Sequence, residues 1–179
     1  MIRIIGGELR GRTLETPTWD GLRPTSDRLR ETLFNILTPR IGGARVLDGY
    51  AGTGAVGIEA LSRGASQVTF VEHDPRAEAL IRKNLARCGV ADRHVIIRAG
   101  LAAAAAELGD PFDIVFLDPP YGDAELGSGL AAGAPLLAPG GLLVIEHAQR
   151  DAAPGTVPGL RRTRELIQGD SALAFYTHV

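Results

Sequence analysis

The chain is poor in lysine and in cysteine. Among its 19 basic residues Lys83 is the only lysine, and Cys88 is the only cysteine. A single cysteine excludes an intramolecular disulfide, and we interpret Cys88 as a small core residue of a helical segment. The arginine excess suits contacts with phosphate groups, although a codon bias of the genome is the simpler explanation.

A strong net charge and long apolar runs are also missing. The net charge of -2 gives no overall nucleic-acid signal, so any RNA-binding face must be local. No segment reaches the roughly 18 consecutive apolar residues of a membrane span, and residues 1–7 are too short and glycine-broken for a signal peptide. We therefore expect a cytoplasmic protein. The four histidines lack metal-ligand spacing, so we expect no metal site.

The order of segments predicts an α/β fold. A chain of 179 residues, 45% apolar and 22% charged, is most simply one ordinary globular domain with a small appendage. Apolar runs alternate with helical patterns, which predicts a doubly wound, mostly parallel sheet with helices on both faces. The predicted strands are 45–48, 67–71, 94–98, 112–117 and 141–147, and the predicted helices are 55–63, 75–88, 101–108 and 124–137.

Both ends of the chain depart from this alternation. Residues 2–12 have the pattern of a small hairpin or edge strand, and a helix is predicted from Thr25-Ser26-Asp27 to the breakers at 39–43. At the other end, alternating runs on both sides of Gly169-Asp170 predict an antiparallel hairpin.

The most informative segment is Asp118-Pro119-Pro120-Tyr121, which follows the predicted strand 112–117. Two prolines make a stiff turn that offers carbonyl oxygens without matching N–H donors. With a carboxylate on one side and an aromatic ring on the other, this turn suits a planar group carrying an NH2. The alternative is a proline-rich loop in which Tyr121 only fills a gap.

A glycine-rich turn, residues 49–57, joins the first predicted strand to the next helix. Gly52 and Gly54 allow the backbone to approach a ligand, and the helix N-terminus adds its N–H groups. Glu72 lies about 20 residues further on, the spacing expected for an acceptor of ribose hydroxyls. Asp74 is better explained as the cap of the following helix.

The ligand of this turn is ambiguous from the glycines alone, because Gly52-x-Gly54-x-x-Gly57 matches the dinucleotide fingerprint. Asp48 argues against a nicotinamide cofactor, since its carboxylate would repel a pyrophosphate. It suits an ammonium or sulfonium cation instead. Together the segments predict an S-adenosylmethionine site beside a pocket for an amino group, at the carboxyl ends of the first and fourth strands.

Three motifs, Asp48-x-x-x-Gly52-x-Gly54, Glu72-x-Asp74 and Asp118-Pro119-Pro120-Tyr121, resemble those of class I methyltransferases that act on exocyclic nitrogens. The N-terminal segments 2–12 and 22–35 are similar to the RsmD-type family, and the resemblance covers nearly the whole chain. It implies a Rossmann-like class I fold and methylation of N2 of a guanine in bacterial small-subunit (16S) ribosomal RNA.

The resemblance also implies roles for individual residues. Asp118 and the carbonyl of Pro119 would accept the amino hydrogens, Pro120 would stiffen the turn, and Tyr121 would stack on the base. The cofactor would be held by Asp48, Tyr50, Gly52, Gly54 and Glu72. The family usually has Phe where Tyr50 stands. It often has an acid or amide where this chain has Ala99-Gly100, so adenine contacts would fall to backbone groups.

The first 40 residues are predicted to be an RNA-docking extension, and residues 41–179 the catalytic domain. The expected phosphate contacts are Arg10, Arg12, Arg23, Arg28 and Arg30. Ion pairs with Asp27 and Glu31 on a solvated helix face are the alternative. The expected partner is small-subunit ribosomal RNA or the assembling 30S particle, bound by a monomer.

Two other functions remain open from the sequence. One is methylation of another planar amino group, such as N6 of adenine in DNA or RNA. The other is a non-catalytic RNA-binding assembly factor that has kept the fold, although the presence of Asp118 and Glu72 argues against it.

Overall fold

The computed structural model describes all 179 residues, which form two compact units, residues 1–100 and 101–179. It contains a mostly parallel eight-stranded sheet and a separate two-stranded sheet. The predicted α/β alternation is therefore confirmed. The unit boundary lies at residue 100, so the proposed extension, residues 1–40, belongs to the same unit as the glycine-rich turn.

In the first unit a small hairpin and a helix precede three parallel strands. The hairpin pairs Ile2 with Leu14 and Arg3 with Thr13. The elements are β1 (Ile2–Arg3), β2 (Thr13–Leu14), α1 (Asp27–Ile41), β3 (Arg45–Asp48), α2 (Ala55–Ser62), β4 (Gln67–Val71), α3 (Pro75–Arg87) and β5 (His94–Ile97). The large-sheet strands of this unit have the order β5-β4-β3. Since β3 and β4 are parallel, with Asp48 opposite Phe70, both strands present the loops that follow them at one edge.

The second unit ends in the predicted antiparallel hairpin. Its elements are α4 (Leu101–Glu107), β6 (Phe112–Leu117), α5 (Asp123–Gly133), a 3-10 turn (Ala134–Leu136), β7 (Leu137–Ala148), β8 (Thr156–Val157), β9 (Leu160–Gln168) and β10 (Ser171–His178). The strand order is β6-β7-β10-β9-β8, with β6 and β7 parallel and the other pairs antiparallel. Gly169 has φ of 64°, a left-handed conformation that suits the tight turn between β9 and β10.

Local side-chain contacts explain where two of the helices begin. Ser26 caps α1 by accepting a hydrogen bond from the N–H of Leu29 at 3.2 Å. Asp74 caps α3 by accepting from the N–H of Arg76 at 2.8 Å, with Pro75 in the first helical position. The expected capping role of Asp74 is thus confirmed.

Helix α1 ends at Ile41, among the predicted breakers 39–43, and the buried side chain of Ile41 holds its last turn against the core. Two other predicted boundaries are wrong by four residues. Helix α5 ends at Gly133 rather than at residue 137, and a 3-10 turn follows it. Strand β7 begins at Leu137 rather than at residue 141. Pairing of Leu137 with Phe112 extends the strand through a proline–glycine segment that resembles a loop in sequence.

Other packing expectations are met. Cys88 is buried and unpaired, as expected for a core residue. A Cβ at Gly57 would clash with the ring of Phe70, so the third glycine of the fingerprint serves the packing of α2 on β4. None of the helices combines the length and the apolar character needed to cross a bilayer.

Candidate active site

Asp48 is the last residue of β3 and is buried under the glycine-rich turn. Its carboxylate oxygen Oδ2 accepts a hydrogen bond of 3.0 Å from the N–H of Gly57, and no cationic side chain pairs with it. Burial raises the pKa of Asp48 to about 7, the Gly57 N–H opposes this rise, and the charge of Glu72 adds to it. The carboxylate is therefore an uncompensated buried group, and a cation would stabilise it.

The turn itself depends on two glycines. Gly52 has φ of 55° and Gly54 has φ of 79°, both in the left-handed region that other residues avoid. The N–H of Gly54 donates to the carbonyl of Ala51 at 2.7 Å, and Gly54 directly precedes α2. The first turn of α2 therefore starts at the end of this tight loop. Tyr50, at its start, is half-buried.

Glu72 connects the turn to the segment after β4. One of its carboxylate oxygens, Oε2, accepts from the N–H of Gly52 at 2.8 Å, and the other, Oε1, accepts from the N–H of Asp74 at 2.9 Å. The side chain is largely buried. Each oxygen retains a second lone pair, so the carboxylate can still accept hydrogen bonds from hydroxyl groups.

Ala99 and Gly100 lie beside the same segment. The N–H of Ala99 donates to the backbone carbonyl of Glu72 at 3.1 Å. A Cβ at Gly100 would meet no atom within 4 Å, so the backbone there borders open space. These positions offer backbone groups and no polar side chain, as the sequence indicates.

The second unit carries the Asp-Pro-Pro-Tyr segment directly after β6. We call residues 118–122 the acceptor loop. Asp118 is half-buried, Pro119 is buried, Pro120 is exposed, and Tyr121 is 38% exposed. The Tyr121 hydroxyl shares a hydrogen bond of 3.1 Å with Ser171 Oγ, and the N–H of Gly122 donates to Asp151 Oδ2 at 3.1 Å. The exposed ring is accessible for stacking on a planar group.

The five N-terminal arginines do not share one environment. Arg10, Arg23 and Arg28 are exposed and form no ion pair. Arg12 is exposed as well and makes only a long contact, 3.5 Å, with the carbonyl of Arg87. These four side chains are therefore available to a partner.

The prediction that Arg30 contacts a phosphate is wrong, because its side chain is completely buried. It donates to the carbonyl of Arg3, pairs with Asp27 at 3.1 Å and lies 3.6 Å from Glu59. A guanidinium enclosed in this way cannot contact a phosphate. Arg30 stabilises the fold, and the helical spacing that places it beside Asp27 also places it on the inner face of α1.

Glu59 is a structural residue that the sequence analysis missed. It is fully buried in α2, and its two oxygens accept from the N–H groups of Ile5 and Gly6 at 2.9 and 2.8 Å. Arg63 pairs with it at 2.9 Å. The only signal in the sequence is an acid within an otherwise apolar helix, which requires buried partners.

Asn84 is a second residue that was missed. Its side chain is buried in α3 and exchanges hydrogen bonds with the backbone of Glu15, at 2.8 and 3.2 Å, while donating to the carbonyl of Thr53 at 2.9 Å. A side-chain atom of Leu22 would lie 3.1 Å from a Cβ at Gly52. The N-terminal segment is therefore seated on the glycine-rich turn. Asn84 stands at a position where the helical spacing of α3 otherwise places apolar residues. A polar residue in this apolar pattern is the one signal in the sequence that its side chain has a buried partner.

Trp19, in the segment before α1, packs against a charged side chain. The guanidinium of Arg76 lies 5.1 Å from the centre of its ring, and Asp74 holds that guanidinium at 2.7 Å. The same contact with Arg76 lowers the pKa of Asp74 to about 2. No group of three or more His, Cys, Asp or Glu side chains is placed to hold a metal ion.

A parallel sheet with a glycine-rich turn after one strand, an acid after the next, and an Asp-Pro-Pro-Tyr loop defines the class of Rossmann-like class I methyltransferases. The family described as "Conserved hypothetical protein 95" matches residues 2–177. The chain belongs to this family, which is the RsmD-type family of ribosomal RNA methyltransferases. The resemblance drawn from the sequence motifs is confirmed.

Individual relatives agree with this assignment. The chain is 40% identical to "Ribosomal RNA small subunit methyltransferase D" of Escherichia coli strain K12, over 98% of this chain and 89% of that protein. The solved structure of the Escherichia coli protein yhhF has a TM-score of 0.87 and 39% identity, covering 99% and 97% of the two chains. A hypothetical protein of Thermus thermophilus has a TM-score of 0.81 and 34% identity over the full length of both chains.

Proposed function

We propose that this enzyme transfers a methyl group from S-adenosylmethionine to N2 of a guanine in small-subunit ribosomal RNA. The observation that carries the proposal is the uncompensated Asp48 carboxylate beneath a turn formed by Gly52 and Gly54. Such a site fits a cationic ligand and disfavours the pyrophosphate of a dinucleotide. The near-full-length relative named as a small-subunit ribosomal RNA methyltransferase supports the choice of RNA.

The residues after β3 and β4 would bind the cofactor, which supplies an activated methyl group when bound. Asp48 would balance its positive charge. Glu72 would accept from the ribose hydroxyls with the lone pairs that Gly52 and Asp74 leave unused. The backbone of Ala99 and Gly100 would border the adenine, and Tyr50 would line the same turn.

The acceptor loop would bind and orient the amino group. An aromatic amine is a weak nucleophile because its lone pair is delocalised into the ring. The Asp118 carboxylate and the Pro119 carbonyl would accept the two hydrogens, which favours a pyramidal nitrogen. Pro120 would keep the turn stiff, and the exposed ring of Tyr121 would stack on the base. Orientation of this kind supplies up to roughly 7–11 kcal/mol in well-aligned models.

The charge distribution supports RNA docking by the first unit, which contains the N-terminal segment. Residues 1–100 carry 15 Lys and Arg against 11 Asp and Glu, whereas residues 101–179 carry 4 against 10; the balances of +4 and -6 give the chain's -2. Arg10, Arg12, Arg23 and Arg28 would contact phosphates. The target base would have to leave its stack to reach the acceptor loop. We propose that a monomer acts on RNA or on the assembling small subunit in the cytoplasm.

Removing exposed arginines should weaken RNA binding selectively. A variant with Arg10→Ala, Arg23→Ala and Arg28→Ala should keep its affinity for S-adenosylmethionine. Its RNA affinity should fall, and the slope of log K against log salt should decrease by about one for each phosphate that the variant no longer neutralises. Titration of small-subunit RNA at several salt concentrations measures both quantities.

Arg82→Ala is the matched control, because Arg82 is exposed but already paired with Glu78 at 2.7 Å. It should leave the slope unchanged. If the triple variant also retained the wild-type slope, the N-terminal arginines would be ordinary surface charges.

The proposed function is tested by transfer of labelled methyl groups from S-adenosylmethionine. We expect incorporation into small-subunit ribosomal RNA or particles and none into DNA. Incorporation into DNA alone would favour the adenine-N6 alternative. Binding of RNA with no incorporation into RNA, particles or DNA would favour the non-catalytic alternative.

A further inference from the structure

The acceptor loop is tied at two consecutive residues to the C-terminal part of the chain, once to the hairpin and once to the segment after β7. The Tyr121 hydroxyl shares its 3.1 Å hydrogen bond with Ser171, the first residue of β10. The N–H of Gly122 donates to Asp151, which follows β7. Both partners are distant in sequence, 50 residues for Ser171 and 29 for Asp151. The hairpin thus contacts the loop that the proposed function makes catalytic.

Ser171 and Asp151 lie in one part of the second unit, where backbone hydrogen bonds connect the end of β7 to the start of β10. Ser171 pairs with Ala148 across the β7–β10 ladder. The N–H of Gln149 donates to the carbonyl of Asp170 at 2.8 Å, and the N–H of Asp151 donates to the carbonyl of Ala148 at 2.9 Å. Ser171 and Asp151 therefore occupy fixed positions relative to each other. We call residues 148–151 and 170–171 the hairpin corner.

The loop side of the contact is equally specific. Gly122 has φ of 131°, a conformation that L side chains rarely adopt, so the turn after Tyr121 requires glycine. The Asp151 side chain is only 13% exposed, which shields its bond with Gly122 from water. Tyr121 has its hydroxyl engaged while its ring remains partly exposed. The contact therefore fixes the edge of the ring and leaves stacking surface available.

We propose that Ser171 and Asp151 are positioning residues for the acceptor loop, acting through Tyr121 and Gly122. The inference rests on the proposed function, since it assigns the ring of Tyr121 to the substrate base. A stacking surface that is already fixed loses less freedom when the base arrives. A displacement of about 1 Å in a positioning group can reduce a rate by about 100-fold.

A double-mutant cycle tests the Ser171 contact. Ser171→Ala and Tyr121→Phe should each lower kcat for methyl transfer by about 5- to 10-fold, the effect of removing one hydrogen bond. The double variant should lose no more than either single variant, because both changes remove the same bond. Ser171→Thr keeps the hydroxyl and should restore kcat to within about threefold. The Kd for S-adenosylmethionine should be unchanged in all four.

Thr163→Ala is the matched control. It removes a hydroxyl from the same hairpin, and that hydroxyl donates one long hydrogen bond, 3.4 Å, to the carbonyl of Phe175. It should leave kcat at the wild-type value. Wild-type kcat in Ser171→Ala, or losses that multiply in the double variant, would overturn the assignment of Ser171.

The Asp151 contact is tested without any activity measurement. Amide hydrogen exchange at Gly122 should accelerate by about tenfold or more in Asp151→Ala. Asp151→Asn keeps an acceptor oxygen and should preserve most of the protection. Unchanged exchange in Asp151→Ala would overturn the positioning role. A wild-type enzyme that methylates no RNA would instead refute the proposed function, and the exchange result would still decide whether the corner holds the loop.

Discussion

Asp118→Ala should lower kcat for methyl transfer by about 100-fold or more while changing the Kd for S-adenosylmethionine by less than about threefold. The proposal assigns the carboxylate to the amino group of the base rather than to the cofactor. Loss of one hydrogen-bonding group aimed at the charge that develops in a transition state typically reduces kcat by about 100- to 1000-fold. Single-turnover kinetics at saturating RNA, together with calorimetry of cofactor binding, separates the two effects.

Asp123→Ala is the control for that substitution. Asp123 is an exposed acid two residues beyond Tyr121, at the start of α5. It should turn over like the wild type. An Asp118→Ala enzyme with wild-type kcat would show that the loop does not accept the amino hydrogens as proposed.

Asp48→Asn should stabilise the ligand-free protein at pH 8 and weaken the binding of S-adenosylmethionine. The pKa of Asp48 is about 7 in the folded protein, against an ordinary value of 3.8. The folded state therefore holds the proton more tightly than the unfolded chain, and the free energy of unfolding falls as the pH rises from about 4 to 7. At 1.36 kcal/mol per pH unit, the loss is about 2–4 kcal/mol after allowance for relaxation.

Urea denaturation at pH 5 and pH 8 measures this contribution. From pH 5 to pH 8 the free energy of unfolding of the wild type should fall relative to that of Asp48→Asn. At low pH the two free energies should converge. Asp20→Asn removes an exposed carboxyl from the same unit and should follow the wild type. If the free energy of unfolding depended on pH equally in the wild type and in Asp48→Asn, the buried carboxyl of Asp48 would not be the source of that dependence.

Cofactor binding should depend on the same proton. A cation near Asp48 favours the carboxylate, so wild-type affinity for S-adenosylmethionine should rise as the pH passes upward through about 7. Binding should release protons near that pH, which calorimetry in buffers of different ionisation enthalpy detects. Asp48→Asn should bind more weakly and without this pH dependence. An unaltered affinity would remove Asp48 from the cofactor site.

The sequence predicted the elements whose signals are local. Strands β3, β4 and β6 have the bounds that their apolar runs indicate, because turn residues interrupt the hydrophobic pattern at each end. Asp74 was identified as a cap because an acid before a proline at a helix start has one common use. The glycines at 52 and 54 were informative because few other residues tolerate the conformation they adopt.

What the sequence could not predict depends on contacts between distant segments. Arg30 looked like its exposed neighbours Arg23 and Arg28, because its distant partners, the carbonyl of Arg3 and the carboxylate of Glu59, are not visible in the local sequence. Asn84 forms hydrogen bonds with a residue 69 positions away, so no local sequence pattern indicates that the N-terminal segment lies on the glycine-rich turn. The contact between Tyr121 and Ser171 has the same character. Local patterns locate the reactive groups, whereas long-range polar contacts determine how they are held.

The identity of the methylated base tests the central claim most directly. Small-subunit RNA or particles from cells lacking this enzyme should be incubated with labelled S-adenosylmethionine, digested to nucleosides and separated by mass spectrometry. The proposed function predicts that the label appears in N2-methylguanosine, and that Asp118→Ala leaves that nucleoside unlabelled. Label in N6-methyladenosine, or in no nucleoside although RNA and cofactor both bind, would contradict it.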